Sequence, residues 1–280
     1  MEAYKILQSS KDSNLPIDLG LWIGGDLEAN NLEIQRALEI LKEYPNRIQS
    51  VIVGNEVLLR KELEPLELYA YIDFMKSHTK KPVTTAETWD IWEKNPQLAS
   101  HVDFLTIHIL PYWEKVPIER YNEFIIEKYS VVEELFPNRK IVIGETGWPS
   151  HGYNNNSAIP SIKNQAQAIR GFVNLAHEKG WHYNIIEALD QPWKGYDEGN
   201  VGQYWGIFTT DRALKFQLAG EVELNKYWLY QMIAAIIIGA LLTLFGLKNQ
   251  RVNISHAFAY AIAAQGMAFG IVMAAIYPFV

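Results

Sequence analysis

The chain has 280 residues and a net charge of −7, with a sequence pI of about 5.6. No basic stripe interrupts this acidic composition, which argues against nucleic acid as a partner. The sequence contains no cysteine, which excludes disulfides and thiolate-held zinc sites. The length suits one large α/β domain or two smaller ones.

Short apolar runs alternate with longer amphipathic segments through most of the chain. The six predicted strands are 17–23, 48–54, 81–87, 102–109, 140–145 and 183–189. Helices are predicted between them, at 31–44, 65–78, 118–135 and 162–180, the last ending at Gly180. Strict alternation of strand and helix predicts a parallel sheet.

Polar or aromatic side chains lie at or just beyond the end of every predicted strand. In a (β/α)8 TIM barrel such groups gather at the C-terminal ends of all strands, whereas a doubly wound sheet gathers them at one switch point. The pattern therefore favours an α/β fold of the TIM-barrel type, with six of the eight βα units visible in this sequence. Because an open six-stranded array leaves unpaired edges, we expect two further strands before residue 1.

Two glutamates are the strongest candidates for catalysis. Glu56 follows the apolar run VIVG, and Glu145 ends the run KIVIG. Across a barrel mouth, a pair of carboxylates roughly 5 Å apart is the arrangement of a retaining glycosidase. One carboxyl group donates a proton to the leaving oxygen while the other, ionised, attacks the anomeric carbon. For either residue taken alone, a solvated or ion-paired carboxylate is the alternative.

Four motifs in order, VGNEVLLR, HILPYWE, IGETGWPS and EALDQPWK, resemble those of glycoside hydrolase family 17, the β-1,3-glucanases and β-glucan glucosyltransferases. The similarity extends over about residues 12–220 and is greatest to the bacterial membrane-bound branch. It implies a (β/α)8 barrel in which Glu56 is the acid/base and Glu145 the nucleophile. It also implies a chain truncated at its N-terminus, because family members have two more strands there.

Six further residues are predicted to bind substrate: Asn55, His108, Tyr112, Trp148, Glu187 and Trp193. The resemblance places Asn55 at the position that hydrogen-bonds the sugar 2-hydroxyl. Tyr112 is expected to donate a hydrogen bond to the nucleophile, and His108 is either a second donor or a satisfied core residue.

The tryptophans near the strand ends either stack on sugar or pack in the core. Trp193 is expected to form a sugar platform and Trp148 to wall the site, while Trp89 and Trp113 are expected along the cleft. Glu87 and Glu187 are expected to bind hydroxyls or to form ion pairs. With no Gly-rich phosphate loop and no metal-spaced histidine cluster, the sequence predicts neither a metal nor a cofactor.

The C-terminal part of the chain consists of two long uncharged segments, at about 228–247 and 254–277. We interpret them as a transmembrane hairpin (226–280) that follows the hydrolase barrel (1–225). The alternative is a buried helical pair in a soluble protein. Lys248 and Arg251 lie in the link, which predicts a multi-pass membrane protein with a cytoplasmic link and an outer catalytic domain. The N-terminus has no signal peptide, so we expect that either this topology is wrong or the chain lacks its own beginning.

Together these features predict a membrane-anchored retaining glycosidase that hydrolyses β-1,3-glucan, with a lipid bilayer and the glucan as partners. A β-glucan transglycosylase would use the same two carboxylates and remains an alternative. A second alternative is an inactive, glucan-binding membrane fragment.

Overall fold

The computed structural model describes residues 2–10, 13, 15–222, 227–248 and 250–276. The chain divides into two compact units, Met1–Val222 and Glu223–Val280. The boundary predicted after residue 225 lies outside the described residues, as does residue 277 at the predicted end of the second apolar helix.

The first unit is built on one sheet. Its strands are β1 (Ile17–Leu21), β2 (Ile48–Asn55), β3 (Val83–Thr88), β4 (Leu105–His108), β5 (Ile141–Thr146) and β6 (His182–Ile185). Each strand pairs in parallel with the next in chain order. When each parallel strand pairs with the next in the chain, the strand order is that of a barrel, whereas a doubly wound sheet reverses its order at a switch point. The six predicted strands and the incomplete TIM-barrel fold are thus confirmed, as a curled half-barrel.

The last strand is shorter than predicted. It ends at Ile185, because the backbone beyond it leaves the sheet and pairs with a later segment. Ile207 N–H donates to the Glu187 carbonyl at 3.0 Å, and Phe208 N–H donates to the Ala188 carbonyl at 2.9 Å. These bonds satisfy backbone groups that a longer strand would have used in the ladder.

Within the described residues, six α-helices accompany this sheet. They are α1 (Glu2–Ser9), α2 (Leu27–Glu43), α3 (Pro65–His78), α4 (Trp89–Lys94), α5 (Tyr121–Leu135) and α6 (Ile162–Lys179). Helix α2 begins four residues before the predicted start, because the Asp26 carboxylate accepts hydrogen bonds from the N–H groups of Glu28 and Ala29. Helix α6 ends at Gly180, whose φ of 67° is left-handed as predicted for a terminating glycine.

The core lies between the sheet and these helices. Strand side chains such as Val51, Val83, Leu105 and Ile143 are fully buried. Parallel strands covered on both faces carry continuous apolar runs, which is why the sequence pattern located them.

The second unit is a helical hairpin, α7 (Trp228–Leu247) and α8 (Ile254–Ile276). The Gln265 amide donates a hydrogen bond of 2.9 Å to the Ala235 carbonyl across the pair. Small residues at the contact let the two backbones approach. Both helices are long and apolar enough to span a membrane, with bounds close to those predicted, whereas their insertion into a bilayer stays a prediction.

Candidate active site

A cleft of about 1560 Å³ opens at the C-terminal ends of the strands. It receives side chains from the ends of successive strands, including Trp22 after β1, Glu56 after β2, His108 from β4 and Glu145 from β5. Small-molecule pockets measure about 300–1,000 Å³, so this cleft has room for several sugar units.

The backbone at the end of β2 directs Glu56 into the cleft. Gly54 has a φ of 81° and Glu56 a φ of 54°, so both residues are left-handed. A Cβ on Gly54 would come within 2.5 Å of Val57 Cγ2, which excludes a side chain at that position. A left-handed non-glycine residue costs about 1–3 kcal/mol and occurs preferentially at functional sites. Glu56 N–H donates to the Ala86 carbonyl at 2.7 Å, which links this turn to β3.

His108 lies between the two predicted catalytic glutamates. Its Nδ1 is 2.9 Å from Glu56 Oε1 and 3.8 Å from Glu145 Oε2, and the ring is almost completely buried. One side-chain oxygen of Glu56, one of Glu145 and one ring nitrogen all lie within 4.8 Å of one another. Gly144 makes room for this ring, since a Cβ there would lie 2.9 Å from His108 Cδ2. His108 thus hydrogen-bonds Glu56, and at 3.8 Å it is too far from Glu145 to be the donor expected for the predicted nucleophile, which corrects that prediction.

Charges in this cluster compensate one another. Burial raises the pKa of Glu145 and the negative charge of Glu56 adds to this rise, whereas His108 and Lys194 oppose it. Burial lowers the pKa of His108, but the negative charges of Glu145 and Glu56 outweigh it and raise that pKa overall. An Nδ1–H group, present in the protonated ring and in one neutral tautomer, donates to Glu56 Oε1 in the 2.9 Å contact.

Among the predicted binding residues, Asn55 and Trp193 line the cleft, together with Trp89 and Trp113. The indole of Trp193 is 59% exposed, so its face is accessible to a flat ligand. These positions agree with the sequence analysis, while their contact with sugar stays a prediction.

Two predictions about aromatic residues need correction. The Tyr112 hydroxyl donates to the Tyr153 carbonyl at 2.7 Å and does not reach Glu145 as a donor. Trp148 is fully buried, and its indole N–H donates to the Ile159 carbonyl at 3.0 Å, so it packs in the core instead of walling the cleft. Both side chains have an apolar body and one polar atom, and the fold satisfies that atom internally.

The two remaining glutamates are engaged within the protein. Glu187 pairs with Lys194 at 2.9 Å, which realises the ion-pair alternative for that carboxylate. Glu87 is fully buried, and its Oε1 accepts the Leu58 N–H at 2.8 Å. A hydroxyl of a bound sugar therefore cannot be its partner, which corrects that part of the expectation.

Lys194 is the main functional candidate that the sequence analysis did not single out. It lines the cleft, pairs with Glu187, and its charge opposes the rise in the pKa of Glu145 that burial causes. The feature of the sequence that pointed to Lys194 was its position next to Trp193 in the motif DQPWK. Arg60, which also lines the cleft, was missed as well; its guanidinium lies over the Trp22 ring, 4.4 Å from the centroid.

Comparison with known proteins identifies the family. Residues 2–206 match the family model of the BtgE/BtgC glycoside hydrolase domain. The chain belongs to this family. The resemblance to glycoside hydrolase family 17 is thereby confirmed, whereas the bacterial membrane-bound branch and the truncation stay predictions.

This glycoside hydrolase is similar to the glucan 1,3-beta-glucosidase of Saccharomyces cerevisiae, with 28% identity over 228 residues that cover 72% of each protein. It is 27% identical to the corresponding protein of Schizosaccharomyces pombe, over 73% of this chain and 68% of that protein. Among solved structures, it resembles an active-site mutant of the Rhizomucor miehei beta-1,3-glucanosyltransferase in complex with laminaritriose. The TM-score is 0.70 at 26% identity, covering 76% of this chain and 79% of that one.

Proposed function

We propose that the chain is a retaining enzyme acting on β-1,3-glucan, with Glu145 as nucleophile and Glu56 as acid/base. The observation that carries the proposal is the pairing of their carboxylates across the cleft, with one oxygen of each within 4.8 Å of the other. Retaining enzymes hold their two carboxyl groups about 5–5.5 Å apart, whereas inverting enzymes separate them by about 6.5–9.5 Å to admit a water.

The substrate class is supported by the relatives. The two yeast proteins are glucan 1,3-beta-glucosidases, and the Rhizomucor structure holds laminaritriose. The open cleft with Trp193 at its wall suits an extended neutral glucan.

In the proposed first step, Glu145 attacks the anomeric carbon as Glu56 passes a proton to the leaving oxygen. The bond from the sugar to the leaving oxygen breaks while an ester forms to Glu145. His108 donates to Glu56 Oε1, which leaves Oε2 to carry the transferred proton. In the second step Glu56 takes a proton from the incoming hydroxyl, and the ester is broken with a second inversion.

The nature of that hydroxyl decides between hydrolysis and transfer. Water gives a glycosidase like the yeast relatives, and a glucan hydroxyl gives a transglycosylase like the Rhizomucor enzyme. Both outcomes use the same two glutamates, so the ratio of longer to shorter oligosaccharide products at high laminaritriose concentration separates them.

The product's anomeric configuration tests the proposed function. In real-time NMR with laminari-oligosaccharides, we expect the newly formed reducing end or linkage to appear first as the β anomer, because two inversions restore configuration. First appearance of the α anomer would mean an inverting enzyme, and absence of turnover on any β-1,3-glucan would remove the substrate assignment.

We also propose that α7 and α8 anchor the enzyme in a membrane with the first unit on the outer side, as a multi-pass protein. The length and apolar character of both helices support the anchor. The cations Lys248 and Arg251 in the link support a cytoplasmic link.

A further inference from the structure

Glu87 is a fully buried carboxyl group at the C-terminal end of β3, directly beneath the turn that follows Glu56. The mechanism proposed above gives it no chemical role. Buried glutamates are rare unless their oxygens are paired, so the partners of this one indicate what it does.

Both carboxylate oxygens face backbone N–H groups of the turn that follows Glu56. Oε1 accepts from Leu58 at 2.8 Å, and Oε2 has a longer contact of 3.4 Å with the N–H of Leu59. Residues 56–60 form a single helical turn, closed by the Arg60 N–H donating to the Glu56 carbonyl at 2.8 Å. The first N–H groups of such a turn have no acceptor within it, and the Glu87 carboxylate is the acceptor for one of them, the Leu58 N–H.

The turn is thus attached to β3 on both sides of Glu56. On the N-terminal side, the backbone N–H of Glu56 itself donates to the Ala86 carbonyl at 2.7 Å. Two residues after Glu56, the Leu58 N–H donates to the side chain of Glu87, which follows Ala86 in β3. These two attachments hold Glu56 at its left-handed φ of 54°, a conformation that needs support from its surroundings.

We propose that Glu87 is a positioning residue for the proton donor, holding the Glu56 turn against β3 so that the Glu56 carboxyl group faces the leaving oxygen. This inference rests on the proposed function, because it assumes that Glu56 is the acid/base. Burial raises the pKa of Glu87 to about 7, opposed by the Leu58 and Leu59 N–H groups and augmented by the charge of Glu56.

The test uses two leaving groups in the full chain. Glucose in laminaritriose needs protonation to depart, whereas dinitrophenolate departs without it. For Glu87→Asp, whose shorter side chain withdraws the acceptor from the Leu58 N–H, we expect kcat/KM on laminaritriose to fall about tenfold to hundredfold, as for impaired general-acid catalysis. With 2,4-dinitrophenyl β-laminaribioside, kcat/KM should change by less than about threefold, because this ratio reports the first irreversible step. Equal losses on both substrates would overturn the positioning role.

Asp103→Asn is the matched control, because the Asp103 carboxylate accepts the Val83 N–H at 2.7 Å at the opposite end of the same strand. It should show no dependence on the leaving group. Glu87→Gln keeps a side-chain oxygen that can accept the Leu58 N–H, so its kcat/KM on laminaritriose should stay within about threefold of the wild type. Glu87→Ala, which removes the acceptor, should reproduce the selective loss if Glu87→Asp folds poorly.

Amide hydrogen exchange provides a readout that is independent of activity. In Glu87→Asp, the amide of Leu58 should exchange at least about tenfold faster than in the wild type, because the acceptor is withdrawn from its N–H. Unchanged exchange would overturn the support that Glu87 gives to the turn. Absence of wild-type turnover would instead contradict the proposed function, so the two failures are distinguishable.

Discussion

At the scale of single residues, two tryptophans with the same sequence-based prediction occupy opposite environments. Trp193 is 59% exposed at the cleft, while Trp148 is fully buried with its N–H bonded to the Ile159 carbonyl. Nothing local in the sequence separates them, because both follow a strand and both adjoin a proline. Burial is decided by segments more distant in the chain, such as those that contain Tyr112 and Tyr121, whose rings pack edge-on against Trp148.

This difference predicts separate effects of the two aromatic side chains. Trp193→Ala should raise KM for laminari-oligosaccharides about tenfold, since an aromatic contact of about 1.4 kcal/mol is lost. Its melting temperature should stay near that of the wild type.

Trp148→Phe is the control, and it should lower stability by about 1–3 kcal/mol through lost packing and a lost hydrogen bond, with KM unchanged. Steady-state kinetics and thermal unfolding of both variants measure these effects. An unchanged KM in Trp193→Ala would remove Trp193 from the substrate site.

At the scale of elements, the site depends on how closely β4 and β5 approach at His108. Gly144 lies in β5 opposite this side chain, and a Cβ there would come within 2.5 Å of Thr106 Cγ2 as well as 2.9 Å of His108 Cδ2. The glycine in IGET therefore makes room for the imidazole between the two glutamates.

Gly144→Ala should cost about 1–3 kcal/mol of stability through overpacking. It should also lower kcat, because His108 must shift away from Glu56. Gly20→Ala in β1 is the matched control, since a Cβ there meets no atom within 4 Å, and its free energy of unfolding should match the wild type. Equal free energies of unfolding for wild type and Gly144→Ala, from denaturant titration, would contradict the tight approach.

The strands and their order were predictable from two patterns. Buried parallel strands carry continuous apolar runs, and the helices between them carry apolar residues at helical spacing. The positions of Glu56 and Glu145 followed from the strand ends. The left-handed backbone of Glu56, the burial of Glu87 and the His108 contact were not predictable. They arise from packing between residues up to 52 positions apart in sequence. The shortened β6 has the same origin, in pairing with residues 207–208.

At the scale of the whole molecule, the proposed topology makes a prediction that the absence of cysteine renders simple to test. Two single-cysteine variants serve as probes: Ser100→Cys on the exposed surface of the first unit, and Gln250→Cys in the link. In each variant the introduced thiol is the only cysteine in the sequence. In intact cells, a membrane-impermeant maleimide should label Ser100→Cys directly. Gln250→Cys should be labelled only after permeabilisation, because cationic links stay cytoplasmic.

The reverse labelling pattern would mean that the link lies outside and the first unit lies in the cytoplasm. Release of the protein from membranes by alkaline carbonate would contradict the membrane anchor itself, and would favour the alternative of a buried helical pair.

The central claim is the division of roles between Glu145 and Glu56, and azide rescue of glycine variants tests it most directly. With an activated β-laminaribioside, Glu145→Gly plus azide should give the α-glycosyl azide, because azide replaces the nucleophile and inverts once. Glu56→Gly plus azide should give the β-glycosyl azide, because azide then attacks the intermediate on Glu145. Product NMR distinguishes the two anomers. The β-glycosyl azide from Glu145→Gly, or the α-glycosyl azide from Glu56→Gly, would contradict the assignment.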